Sequence, residues 1–296
     1  MQDIYFYYKL TEGFQNSEEE FNGLYEDLGE CIDSLAYLVN TIWQEGIKDD
    51  PWNYYAETLG IKFITQLSSL RNLSKGTNLV FNTFSKSIYV IDVSSLYILS
   101  RSLIENYLIF YYLYIENVSK EEKRARWILY EISGLKSRRK ILDPKINYEE
   151  KRIKLGSEKI QIEKLTQELN NNIFYKTLDP EIKKKIKNNN LAKIKDWSAI
   201  ISESNLSDRF RRSWKLYSNY SHNEYLSLMQ IKDYWSKAND TLTVRNHELF
   251  NCLTLCSAVI IEYTNLYQEI KNNYEGLDSH KKRIINLLNG VAKGAS

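Results

Sequence analysis

Residues that stop a helix are nearly missing from this chain: 296 residues hold three prolines and eleven glycines. Proline lacks the amide hydrogen a helix or sheet needs, and glycine supplies the backbone freedom of tight turns, so folds made of many short strands carry more of both. Long uninterrupted helices are the expected consequence. The chain is also long enough to bury a substantial core. Aromatic residues make up 13% of it, with 23 tyrosines. Buried tyrosine hydroxyls need partners, so the core is expected to carry polar seams. The fold class that follows is all-α, a helical bundle around a buried central helix with a charged helical insertion.

Helix start and stop signals agree. Ser17 and Glu20 read as a capping box that opens a helix running to about Trp43. Asp50 and Pro51 open a second, to about Leu73. A glycine-containing loop, 75–82, leads to a central helix expected from about Ser85 to Glu116. Ser119 and Glu122 cap a basic helix that Asp143 and Pro144 end, and Asp179 and Pro180 start a short one that Asn188 to Asn190 break. Ser207 precedes a helix that holds Arg211 to Tyr225, and Asp240 precedes a long one from about Leu242 to Tyr274. These signals divide the chain into acidic N-terminal helices (1–84), a core bundle (85–144 and 196–275), an insertion (145–195), and a C-terminal helix and tail (276–296).

Charge is unevenly spread. Residues 1–57 hold 13 acidic and 2 basic side chains, a net −11, so the remainder carries +13 of the chain's overall +2. The basic excess gathers at Lys120 to Lys159 and at Glu181 to Lys215. Lys183, Lys184 and Lys185, with Arg211, Arg212 and Lys215, are the residues expected to face phosphates if the partner is RNA or a nucleotide. The competing reading makes these faces solvated, or packed against the acidic N-terminal helices, and leaves a protein partner or a second copy as the thing recruited.

Three cysteines are too few for a disulfide framework, and no apolar leader opens the sequence, which points to the cytoplasm. Cys252 and Cys256 lie one helical turn apart, but nothing completes a four-ligand set, so packed thiols are expected and no metal or other cofactor. The longest apolar tract, Ile88 to Ile115, is interrupted by Asp92, Arg101 and Glu105, so it reads as a bundle helix and not as a membrane span.

Two segments stand out chemically. On the central helix Arg101 and Glu105 share a face one turn apart among Leu99, Leu103, Ile104 and Leu108. A charge in such surroundings must be paired, because burying it alone costs several kcal/mol. Either the pair is structural, or Arg101 orients a phosphate while Glu105 fixes the guanidinium. The second segment, Arg211 to Tyr225, gathers Arg211, Lys215, Ser218, His222 and Tyr225 along one side and Trp214, Tyr217 and Ser221 beside them. It is read as one helix with a buried histidine. His222 can act as an acid or base near neutral pH, or sit as a satisfied core side chain bonded to Tyr217 or to a carboxylate of another helix. No hydrolase turn motif surrounds Ser218 or Ser221. The catalytic candidates are therefore His222, Arg101, Glu105, Tyr217 and Ser221. They require the arginine and acid to meet the imidazole in space.

The pairing of Asp92, Ser95, Arg101, Ser102, Leu103 and Glu105 with the later Tyr217, Ser218, Tyr220, Ser221 and His222 resembles an uncharacterised family of bacterial helical proteins, itself similar to the HEPN superfamily. The resemblance covers roughly residues 85–270. It implies a helical bundle, often dimeric, of toxin, antitoxin or antiviral systems, whose active members cut RNA without metal using an arginine four to six residues before a histidine. The chain departs from that pattern: no arginine lies in the interval before His222, the nearest being Arg212, so Arg101 would have to fill the role from another helix or a partner protomer. The leading expectation is a non-enzymatic helical protein of a bacterial defence or stress system that recruits a protein or RNA partner. The alternative is a metal-independent ribonuclease or nucleotide-directed enzyme with His222 as acid or base and Arg101 as phosphate clamp.

Overall fold

The computed structural model describes residues 18–46, 54–141, 149–236 and 238–294. The expected capping residue Ser17, the expected helix start at Asp50–Pro51 and the expected helix end at Asp143–Pro144 lie outside them. The chain is an all-α bundle, with one small two-stranded sheet among the described residues. It divides into two compact units, one of residues up to Phe110 together with Ile201 onward, the other Tyr111–Ile200.

The first unit is built from α1 (Glu18–Gln44), α2 (Tyr54–Leu73), α3 (Val93–Phe110), α8 (Trp197–Glu203, which spans the boundary), α9 (Asp208–Ser221), α10 (Tyr225–Ser236), α11 (Ala238–Leu266), α12 (Gln268–Glu275) and α13 (Ser279–Lys293). Helix α11 packs on α1, α3, α10, α12 and α13, so it shares the central position with α3, which packs on α2, α9, α10 and α11. A 27-residue stretch of α11, Asp240–Leu266, is long and apolar enough to cross a membrane, but 83% of its most apolar window is buried, as in a bundle's core helix. The sequence reading that extends this helix to Tyr274 is corrected: the chain breaks at Tyr267, which is extended (φ −138°, ψ 138°), and α12 starts anew.

Close helix contact depends on Gly60. A methyl group there would come within 2.7 Å of Val39 on α1 and 2.8 Å of the Tyr263 hydroxyl, which donates to the Ala56 carbonyl at 2.6 Å. Burial of Leu28, Leu35, Leu38, Leu67, Leu70, Leu253 and Ile260 fills the surrounding core.

The expected loop and early start of the central helix are also corrected. Residues 77–90 form an antiparallel ribbon, β1 (Thr77–Phe81) and β2 (Lys86–Val90), with Leu79 opposite Ile88. Both strands are rich in β-branched and aromatic residues, and Ser85 adopts a left-handed conformation (φ 47°) that reverses the chain. The helix begins only at Val93, where Asp92 accepts from the Ser95 amide at 3.0 Å and from its hydroxyl at 2.6 Å.

The second unit opens with a wide π turn (Tyr111–Ile115) and holds α4 (Lys120–Ile141), α5 (Glu149–Asn171), α6 (Ile173–Thr177) and α7 (Pro180–Asn189). The capping interaction at Ser119 forms as expected, its hydroxyl accepting from the Glu122 amide at 3.1 Å. This unit has its own core of Ala125, Ile128, Leu129, Ile132, Leu135, Leu165, Leu169 and Ile186. Helix α4 therefore clusters with the segment expected as an insertion, because its apolar face is the one that α5 to α7 cover.

Arg126 anchors this unit. Fully buried, it donates to Glu116, to Glu122 and to the Tyr112 carbonyl, and Lys195 bonds Glu116 at 2.6 Å. The guanidinium fork satisfies two carboxylates at once, which lets a charge stay buried.

Candidate functional site

Three of the polar residues singled out by the sequence, Arg101, Glu105 and Tyr217, lie in a seam between α3, α9 and α11. Arg101 and Glu105 pair on α3, Nε to Oε1 at 3.0 Å. The Trp214 indole of α9 donates to that same carboxylate oxygen at 3.1 Å, and the Arg101 guanidinium lies 5.8 Å from the Trp214 ring. All three are partly buried, so the pair joins two helices at the rim of the bundle.

One turn before Arg101, Tyr97 stacks on Tyr217 with ring centroids 4.8 Å apart and meets Tyr220 edge-on at 4.7 Å. The Tyr217 hydroxyl points inward to α11, 2.6 and 2.7 Å from the two carboxylate oxygens of Glu248. Glu248 also accepts from Asn251 Nδ2 at 3.4 Å, and His247 Nδ1 lies 3.3 Å from its Oε1. Arg209 reaches the same seam, donating to the Thr254 hydroxyl at 3.0 Å. Burial, and then the nearby Glu248, push the Tyr217 hydroxyl well above its usual range, so it stays protonated and a donor. Burial lowers Arg209, with Tyr217 and Glu248 opposing the shift.

His222 does not join this arrangement. The expectation of a buried histidine is corrected: it is exposed and caps the C-terminus of α9. Contacts order the two helices antiparallel, with Glu105 at Trp214 and Tyr97 at Tyr217 and Tyr220. His222 therefore lies beyond Tyr97, eight residues or about 12 Å along the axis from Trp214. The spatial meeting of Arg101 and Glu105 with His222 is not found. Nor is Arg211 to Tyr225 one helix. Asn223 takes a left-handed conformation (φ 52°), which asparagine tolerates, and Tyr225 starts α10. Ser221 bonds back to the Tyr217 carbonyl at 3.3 Å, as Ser218 does to Trp214 at 2.9 Å.

Among the basic candidates, Arg211, Arg212 and Lys215 are exposed on α9, with Arg211 paired to Asp208 at 2.9 Å. Lys183 donates to the Lys176 carbonyl at 2.8 Å, and Lys184 and Lys185 are exposed, with Lys184 3.9 Å from Glu181. They line an open depression of about 410 Å³ with Glu181, Ile182, Asn188 and Asn189. Cys252 and Cys256 are buried, and desolvation raises both thiols, so they are packed and unreactive. Among the described residues no three His, Cys, Asp or Glu side chains gather as metal ligands.

Sequence reasoning missed Glu248, Asn251 and Arg209 and set His247 aside. A signal was present: Glu248, Asn251, Cys252 and Cys256 recur at helical spacing on one face of an otherwise apolar helix, a place where a carboxylate needs a partner. Chemically the seam is a set of donors and acceptors bonded to one another, with Arg209 Nε and Asn251 Oδ1 buried and without a hydrogen bond among the described residues. No family model, no curated protein and no solved structure matches the chain.

Proposed function

We propose that this chain is a non-enzymatic helical interaction protein of a bacterial defence or stress system, distantly HEPN-like, that recruits a protein partner. The observation that carries this reading is a contrast in exposure. Arg101 is spent on its pair with Glu105 within α3, and Glu105 and Tyr217 are spent on bonds between helices. Tyr225, Leu226, Leu228 and Met229, in contrast, stand exposed on one short helix. Burying apolar surface contributes roughly 25 cal/mol per Å², so a cluster left in water marks a surface that gains by association. The separation of His222 from Arg101 weighs against the ribonuclease alternative. Gel filtration of a cell extract containing the chain tests the proposal: wild type elutes well above monomer size, and Leu228→Asp, with an unchanged unfolding midpoint, shifts toward monomer. Identical monomeric elution of both proteins defeats it.

A second reading is favoured by the depression beside Lys184 and Lys185. Residues 111–200 hold 21 basic and 13 acidic side chains, a net +8. That balance suits RNA held through its phosphates. No aromatic side chain among the described residues of this unit is in the exposed class, so base stacking would contribute little. Binding by this face is expected to be indifferent to sequence and steeply salt-dependent. Lys184→Glu with Lys185→Glu should weaken it, and unchanged affinity in that variant excludes this face.

A further inference from the structure

We infer that α10 is a self-association helix, pairing antiparallel with α10 of a second copy about a two-fold axis near Leu228; this rests on α10 being the interaction face proposed above. Its described side chains that meet the rest of the bundle lie on one side of the helix. Ser227 is buried, Gln230 accepts from the Tyr220 hydroxyl at 2.8 Å, and the Tyr234 hydroxyl lies 3.4 Å from that of Tyr97. The opposite side carries Tyr225, Leu228, Met229 and Lys232, spaced i, i+3, i+4, i+7, which aligns them as one stripe. Tyr225 is 76% exposed, Leu228 55% and Met229 47%, with Leu226 beside them at 42%.

The charges at the ends of this stripe say what covers it. Glu224 and Lys232 are both exposed, and neither has an ion-pair partner among the described residues. They flank Leu228 at equal distances, four residues to each side, about 6 Å along the axis. A two-fold axis through Leu228 therefore sets Glu224 against the partner's Lys232, and Lys232 against the partner's Glu224. It lays the Tyr225 ring on the methylene stem of the partner's Lys232 and brings Leu228 and Met229 of both copies to the axis. Parallel pairing in register would instead bring like charges together. Self-complementarity under a two-fold axis is what an isologous interface requires. Two short helices bury less than the roughly 1,200 Å² of a standard interface, so the dimer is concentration-dependent.

Sedimentation of the purified full chain over a hundredfold range of concentration tests this. Wild type passes from monomer to dimer. Glu224→Lys and Lys232→Glu each move that transition to at least about tenfold higher concentration, and the double variant Glu224→Lys, Lys232→Glu returns it toward wild type. Leu228→Asp abolishes it. Circular dichroism of each variant should match wild type, since every altered side chain is exposed. Purified wild type that stays monomeric throughout overturns the inference, as does a double variant no better than the singles. An assembly that persists in extract while the purified chain is monomeric overturns self-pairing and leaves the recruitment of another protein standing.

Discussion

Replacing Tyr217 by Phe isolates the bond that ties α9 to α11. Tyr217 is 1% exposed and Glu248 is equally buried, so neither can exchange its partner for bulk water. The ring would keep its place on Tyr97 and leave no large cavity, so the loss is that of the hydroxyl alone. Glu248 Oε1 would retain Asn251 and His247, but Oε2 would lose the donor at 2.7 Å. A hydrogen bond to a charged group contributes about 1.5–3 kcal/mol. For a unit of about 200 residues each kcal/mol moves the midpoint by roughly 2–4 °C, so Tyr217→Phe should lower it by about 3–12 °C. Glu248→Gln removes the charge that makes the missing donor expensive. A double-mutant cycle with Tyr217→Phe, measured by urea unfolding, should therefore give a coupling on the order of 1–2 kcal/mol. A single variant within about 0.5 kcal/mol of wild type, the range of ordinary surface changes, would refute the claim that the seam holds the helices.

Other perturbations address separate parts of the fold. Gly60→Ala pushes a methyl group into Val39 and Tyr263, and calorimetry should show a loss of about 1–3 kcal/mol, while Gly134→Ala, with open space around it, should not destabilise. Arg126→Ala strips Glu122 of its arginine partner and leaves Glu116 to Lys195 beside an apolar core, and should cost about 3–5 kcal/mol in chemical unfolding, whereas Arg126→Met in a Glu116→Gln, Glu122→Gln background should recover much of it. Burial pulls the Glu116 carboxyl upward, but its bonds to Arg126 and Lys195 outweigh that and leave it below the ordinary 4.5. Its contribution is then present above pH 4.5 and is lost as pH falls through the lowered value. Urea midpoints from pH 7 to pH 3 should fall more steeply for wild type than for Glu116→Gln, and parallel curves would contradict the assignment.

Local chemistry explains what could be read in advance. The Ser119 cap, the Asp179–Pro180 start and the stop at Asn190 are each decided by a few adjacent residues, so they were visible in the sequence. The Arg101–Glu105 pair was visible for the same reason, one turn apart among apolar neighbours. The ribbon at Thr77–Val90 was hidden because Leu79, Phe81, Ile88 and Val90 fit either a helix entry or two short strands, and Ser85 is an unusual residue to carry positive φ. His222 was misjudged because aromatic neighbours in sequence suggested burial, while the end of α9 and the turn at Asn223 put it in solvent. Glu248 could not be matched to Tyr217 from the sequence, since 31 residues and a helix reversal separate them.

The proposed function implies that the conspicuous polar residues of α3 and α9 hold the bundle and perform no chemistry. Incubating single-stranded RNA with the purified chain in excess chelator, alongside His222→Ala and Arg101→Ala, tests it most directly. The expected result is RNA that stays as intact with all three proteins as in buffer. Metal-independent cleavage by wild type that vanishes in His222→Ala, with its unfolding midpoint unchanged, would contradict it.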